Sequence, residues 1–168
     1  MARIHRPHAA RRRLFAAALL LLLIAACDPG LEPPEMPAVG TIQGVVSYVG
    51  GPAAWPPDSA IHDLRFFALP FVPTDTLDFF RDLNLLVFSD PLTERVAQEA
   101  FVVPSVPAGV YVYSGVAQQF SDDLLDWRPV GLYAGAGGVF EVRPGATTEL
   151  TLTVDFSDLP PFPPGPAR

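Results

Sequence analysis

Hydrophobic and polar residues alternate most strictly over residues 147–156, TTELTLTVDF, where Leu150, Leu152, Val154 and Phe156 share one side and Glu149, Thr151, Thr153 and Asp155 the other. A period of two marks a strand with one buried and one wet face. Residues 139–143 precede it across Pro144-Gly145, a fixed φ followed by a residue that accepts positive φ, so the two segments are expected to form a hairpin. Residues 41–49 repeat the pattern, with Ile42, Val46 and Tyr48 set against Gln43 and Ser47, and Gly44 marks a bulge or a close approach of backbone. Residues 63–69, 83–88, 99–103 and 109–118 are further apolar runs of strand length, bounded by proline, glycine and aspartate. Residues 77–81 or 93–97 each offer at most a helical turn. Roughly seven short strands without alternating long helices predict an all-β fold of two antiparallel sheets packed face to face.

Outside these strands the composition changes. Residues 28–39, DPGLEPPEMPAV, hold four prolines and three acids, and residues 27–39 read as a flexible tether. Residues 159–168, LPPFPPGPAR, hold five prolines and predict an extended, mobile, disordered tail. Between the two, residues 40–158 are expected to form one domain of ordinary size.

The first residues carry a different signal. Arg3, Arg6, Arg11, Arg12 and Arg13 precede an uninterrupted apolar run over residues 14–26. This is the pattern of a secretory signal peptide, and the run is shorter than the roughly 20 residues a membrane-spanning helix needs. Ile24-Ala25-Ala26-Cys27 then resembles the lipobox of bacterial lipoproteins. The resemblance implies removal of residues 1–26 and lipidation of Cys27, through a thioether to a diacylglycerol and, in many bacteria, acylation of the new amine. Two or three acyl chains make attachment durable where one binds only reversibly. The implied location is the bacterial cell envelope, with the outer membrane favoured over the inner, although Asp28 resembles an inner-membrane retention signal of enteric bacteria. Arg12-Arg13-Leu14-Phe15 also resembles a twin-arginine export core, but Arg11 replaces the usual serine or threonine, which favours the general secretory route.

Cys27 is the only cysteine, so no disulfide forms within the chain. Five of the 11 basic residues precede Cys27 and none of the 18 acids does, so the chain from Cys27 onward sets six arginines against 18 acids, a formal charge of −12. There is no lysine. Such a surface argues against nucleic acid and anionic lipid surfaces as partners.

GVVSYVGG, VPSVPAGVYVYSGV and VFEVRPGATTELTLTVDF are similar to segments of the carboxypeptidase-regulatory or transthyretin-like family, over roughly residues 41–156. The resemblance implies an Ig/transthyretin-like β-sandwich, with residues 106–111 forming a tight turn in which Gly109 takes positive φ. It carries no catalytic residue. The hydroxyisourate hydrolases of that family end in Tyr-Arg-Gly-Ser, absent here, and the isopeptide staple of related pilin sandwiches needs a lysine.

His62 is the only histidine after residue 26, so one chain builds no multi-histidine zinc site, and no Gly-x-Ser-x-Gly elbow accompanies it. A surface histidine beside a loop is expected. Two acidic loops are candidates for calcium: Asp75, Asp78 and Asp82, and Asp122, Asp123 and Asp126. Neither has the spacing of a dedicated calcium loop, so no metal or cofactor is expected. Trp127, Arg128 and Tyr133, in the connection LDWRPVGLYAGAGG, supply aromatic and guanidinium groups common at binding hot spots. Alternatively, both rings cap the open end of the sandwich. The expected function is a non-enzymatic envelope lipoprotein whose sandwich binds a protein or glycan through residues 122–133. A structural spacer is the rival reading and a polysaccharide hydrolase the distant one.

Overall fold

The fold is seen in a computed structural model. It describes residues 37–75, 78 and 82–164. The expected signal peptide, Cys27, most of the tether and all but Asp78 of residues 77–81 lie outside the described residues. Nine strands follow in order: β1 (Val39–Tyr48), β2 (Asp63–Leu69), β3 (Val87–Phe88), β4 (Gln98–Pro107), β5 (Gly109–Tyr111), β6 (Tyr113–Gln119), β7 (Trp127–Leu132), β8 (Phe140–Val142) and β9 (Thr147–Val154). One sheet has the order β4-β1-β9, a second β3-β2-β6-β7, and β5 and β8 form a short ribbon.

The protein is an all-β sandwich. Ile42, Val46, Leu150, Leu152 and Val154 of the first sheet meet Leu64, Phe66, Ala68, Val116 and Val130 of the second in one buried cluster. Phe66 stacks on Phe101 across it, with ring centroids 4.6 Å apart. The alternation of β1 and β9 is what drives this: in both strands the buried residues are the even-numbered ones, so apolar area leaves water on one face only. Gly44 is a close approach rather than a bulge, because a Cβ there would lie 2.7 Å from the Phe101 ring and 2.8 Å from the Leu150 carbonyl. The irregularity in β1 falls instead between Gly40 and Ile42.

Several expectations are corrected. All strand pairs are antiparallel except β1 with β9, which run parallel from Thr41↔Thr147 to Tyr48↔Val154. The turn at Pro144-Gly145 forms, with Gly145 at φ 67° and the Ala146 N–H donating to the Arg143 carbonyl at 3.1 Å. The hairpin does not, since β8 pairs with β5 while β9 pairs with β1. The run 109–118 breaks at Val112, whose N–H donates to the Leu69 carbonyl, so that β5 and β6 enter different sheets. Gly109 does not adopt positive φ; the left-handed residue near this turn is Ser105, at φ 57°. Residues 93–97 contain only a turn at Glu94-Arg95, and of residues 83–88 only Val87 and Phe88 are in a strand. Residues 127–132, expected as connection, form β7.

Sheet two is covered on both faces. Phe67, Leu69, Tyr113 and Ala117 form a second buried cluster on its outer side, joined by Phe71, Leu86, Phe88, Trp127, Leu132 and Phe162. Every residue of β6 is buried for this reason. From the tail, Leu159 packs on the main core and Phe162 on the second cluster, while residues 165–168 lie outside the described residues.

The two ends of the sandwich differ. At the end where β1 begins, Ala38 and Val39 carbonyls accept from the Ala108 and Gly145 N–H groups at 2.8 Å each. At the far end, roughly 30 Å along a ten-residue strand, Tyr48 packs on Trp55 and Phe156 with centroids 4.5 and 6.2 Å away. Residues 55–62 lie at this far end, and Gln118 and Gln119 reach them through the Ala60 carbonyl and the His62 N–H. The β6–β7 loop, residues 120–126, therefore stands at the end away from Val39.

Candidate functional site

The candidate residues fall into two places. Trp127 and Arg128 begin β7 at the far end, whereas Tyr133 follows β7 six residues on, roughly 20 Å of extended chain away. Tyr133 packs edge-on against Phe140, with centroids 5.8 Å apart, and belongs to the wall of the main core. It is not part of a patch with Trp127.

Alternation along β7 separates Trp127 from Arg128 as well. Trp127 joins the outer cluster, tilted on Phe88 at 5.6 Å, and its indole N–H donates to the Leu124 carbonyl at 3.0 Å. Arg128 donates from Nε and Nη2 to Oε1 of the fully buried Gln118, at 3.3 Å each, and its guanidinium lies 5.0 Å from the Phe120 ring centroid. Gln118 is in turn anchored on the Ala60 carbonyl at 2.5 Å. Burial of this amide is tolerated because both its ends are bonded.

Two of the loop's three acids, Asp123 and Asp126, bond within it. Asp123 Oδ1 accepts the Leu125 N–H at 2.9 Å, Asp126 Oδ2 accepts the Ser121 hydroxyl at 2.5 Å, and the Asp123 carbonyl accepts Gln119 Nε2 at 3.0 Å. Short polar side chains bonding nearby backbone hold such loops in turns. Asp122 instead reaches out to His62 Nδ1 at 3.2 Å, which gives the exposed histidine its partner. The result is a fixed loop that presents Leu124 and Leu125 at 78% and 55% exposure. These leucines were missed by the sequence reading, which weighed acids and aromatics; apolar residues between aspartates were the available signal.

The second acidic group is also engaged locally. Asp75 Oδ1 accepts the Asp78 N–H at 2.8 Å, and Asp78 Oδ2 accepts the Thr74 N–H at 2.9 Å and hydroxyl at 2.5 Å. Among the described residues no three His, Cys, Asp or Glu side chains converge to hold a metal ion. The shifted titratable groups do not form an acid–base pair. Burial pushes Tyr113 up to about 12 and raises Tyr111, while burial first and Glu99 second raise Tyr48. Asp155 is lowered by the hydroxyl and then the N–H of Ser157. Phenols held protonated in the core neither accept nor release protons at neutral pH.

Along the free edge of β7 lies a groove of about 360 Å³, lined by Phe120, Trp127, Arg128 and Pro129 on one side and Leu159, Pro160 and Phe162 of the tail on the other. A second hollow continues down the edge between Val130, Gly131, Leu132 and Thr153, again closed by Leu159 and Pro160. Gly131 makes this approach of β7 to β9 feasible, because a Cβ there would lie 2.5 Å from the Thr153 carbonyl. Among the described residues no helix is long and apolar enough to cross a membrane. No protein-family model, curated protein or solved structure matches the chain.

Proposed function

We propose that the chain is a non-enzymatic, lipid-anchored protein of the bacterial envelope, attached through Cys27, whose transthyretin-like sandwich is a binding module. One observation carries the reading: an exposed pair of leucines, Leu124 and Leu125, is held on a hydrogen-bonded loop at the end of the sandwich away from Val39. Exposing large apolar side chains on a pre-shaped loop favours a partner that covers them, and ordering the loop beforehand lowers the entropy lost on binding. Apolar side chains favour a protein over a glycan as that partner. A tether of acids and prolines, residues 28–39, suits holding such a surface away from the membrane.

Two measurements test this reading in the native host. Mass spectrometry of the membrane fraction is expected to find a mature N-terminus at Cys27 carrying acyl chains; an intact Met1 or a bare thiol overturns the anchor. A photo-crosslinking amino acid at Leu124 is expected to trap a discrete partner, while one at Val139, near the opposite end and itself 38% exposed, traps none. Equal silence at both positions favours the spacer, and turnover of an envelope polysaccharide overturns the non-enzymatic reading.

A further inference from the structure

The tail beyond β9 has an unusual way of staying on the fold. Between Leu159 and Pro164 only Leu159 and Phe162 possess a backbone N–H, the other four residues being prolines. A segment with two donors cannot join a sheet as a regular strand. It lies instead across the free edge of β7, holding to the main core by Leu159 and to the outer cluster by Phe162. Its polar groups are almost all carbonyls, which ask for donors from elsewhere.

The facing wall holds aromatic rings and one guanidinium. Phe120 and Trp127 are flat rings, and Pro129, buried, lines the same wall. Arg128 gives two of its five N–H groups to Gln118, and its guanidinium lines the same groove. Aromatic walls with a few side-chain donors are what an extended proline-rich segment binds, because its backbone is already stiff and loses little entropy.

We propose that the surface of Phe120, Trp127, Arg128 and Pro129 along the edge of β7 is a receptor for proline-rich peptide segments, and that residues 159–164, which line the other side of the groove, cover it in cis as a competing strap. A partner segment of the same chemistry, prolines around one large apolar residue, enters when the tail is displaced. The site adjoins the Leu124–Leu125 loop, to whose carbonyls Trp127 donates, but it is tested by peptide binding rather than by crosslinking at Leu124, so the two assignments fail separately.

The test uses the protein from Cys27 onward, a second form ending at Asp158, and a fluorescein-labelled peptide LPPFPPGPAR followed by anisotropy. The truncated form is expected to bind the peptide at least tenfold more tightly than the full chain does, and Trp127→Ala or Arg128→Met in the truncated form is expected to remove most of that gain. Phe162→Ala in the full chain releases the strap without shortening it and is expected to show the same gain, which keeps the test open if truncation unfolds the domain. Absence of binding in either variant while its circular dichroism stays native overturns the proposal. So does equal binding to the full and truncated chains, or binding indifferent to Trp127 and Arg128, which is attraction of the peptide arginine to an acidic surface.

Discussion

Leu152→Asp is expected to unfold the domain. Leu152 is 1% exposed, in the inner row of β9 between Leu150 and Val154, opposite Val46 of β1. A carboxylate there finds apolar side chains and no donor, and burying an unpaired ionisable group costs several kcal/mol against a total stability of roughly 5–15 kcal/mol. Thr151→Asp, one residue earlier on the exposed outer row, is the matched control and should stay within about 0.5 kcal/mol of wild type. Urea titration followed by far-UV circular dichroism distinguishes them. Should the order of the two variants reverse, the facing of β9 is the opposite of that described.

Phe67→Ala carries the second large expected effect, a loss of about 3–5 kcal/mol, equal to that of Phe66→Ala. The two phenylalanines are neighbours on β2, point to opposite faces of sheet two, and are both fully buried. Phe66 belongs to the core between the sheets; Phe67 belongs to the outer cluster, tilted on Tyr113 with centroids 5.5 Å apart. In a sandwich with a wet outer face Phe67→Ala would be nearly silent, within about 0.5 kcal/mol. Denaturation midpoints of the pair therefore measure whether the outer layer exists in solution. A large loss for Phe66→Ala alone removes it.

The residues that announced themselves in the sequence were those whose two faces meet different media. β1 and β9 alternate strictly because one side is core and the other water, and β2 was bounded correctly at Asp63 and Leu69. Alternation says nothing about which strand lies alongside, so the parallel pairing of β1 with β9 was not legible. β7 escaped because Pro129 and Gly131 interrupt it; a proline is tolerated there at the edge of the sheet, and the glycine is needed where β9 comes close. Missing that strand also merged the candidate site. Trp127, Arg128 and Tyr133 looked like one cluster in a loop, whereas an extended chain sends the first two to opposite faces and carries the third to the other end. Leu159 and Phe162 were hidden by the prolines around them, though they were the only large apolar residues in the tail.

The parallel pairing of β1 and β9 has a mechanical consequence. The chain enters β1 at one end of the sandwich and leaves β9 at the other, while the two strands are bonded side by side over eight residue pairs. Tension between residues 37 and 158 pulls these strands along their length in opposite directions, so the bonds of the ladder share the load and must yield together. Tension applied at Val39 and Thr147, which sit at the same end, peels the ladder one bond at a time. Single-molecule pulling through the first pair of attachment points is expected to require a several-fold higher force than through the second, the rupture being set by the unfolding barrier rather than by equilibrium stability. Similar forces in both geometries would mean that another element bears the load. A domain tethered by its N-terminus and gripped near its C-terminus is thus strained along its stiffest direction.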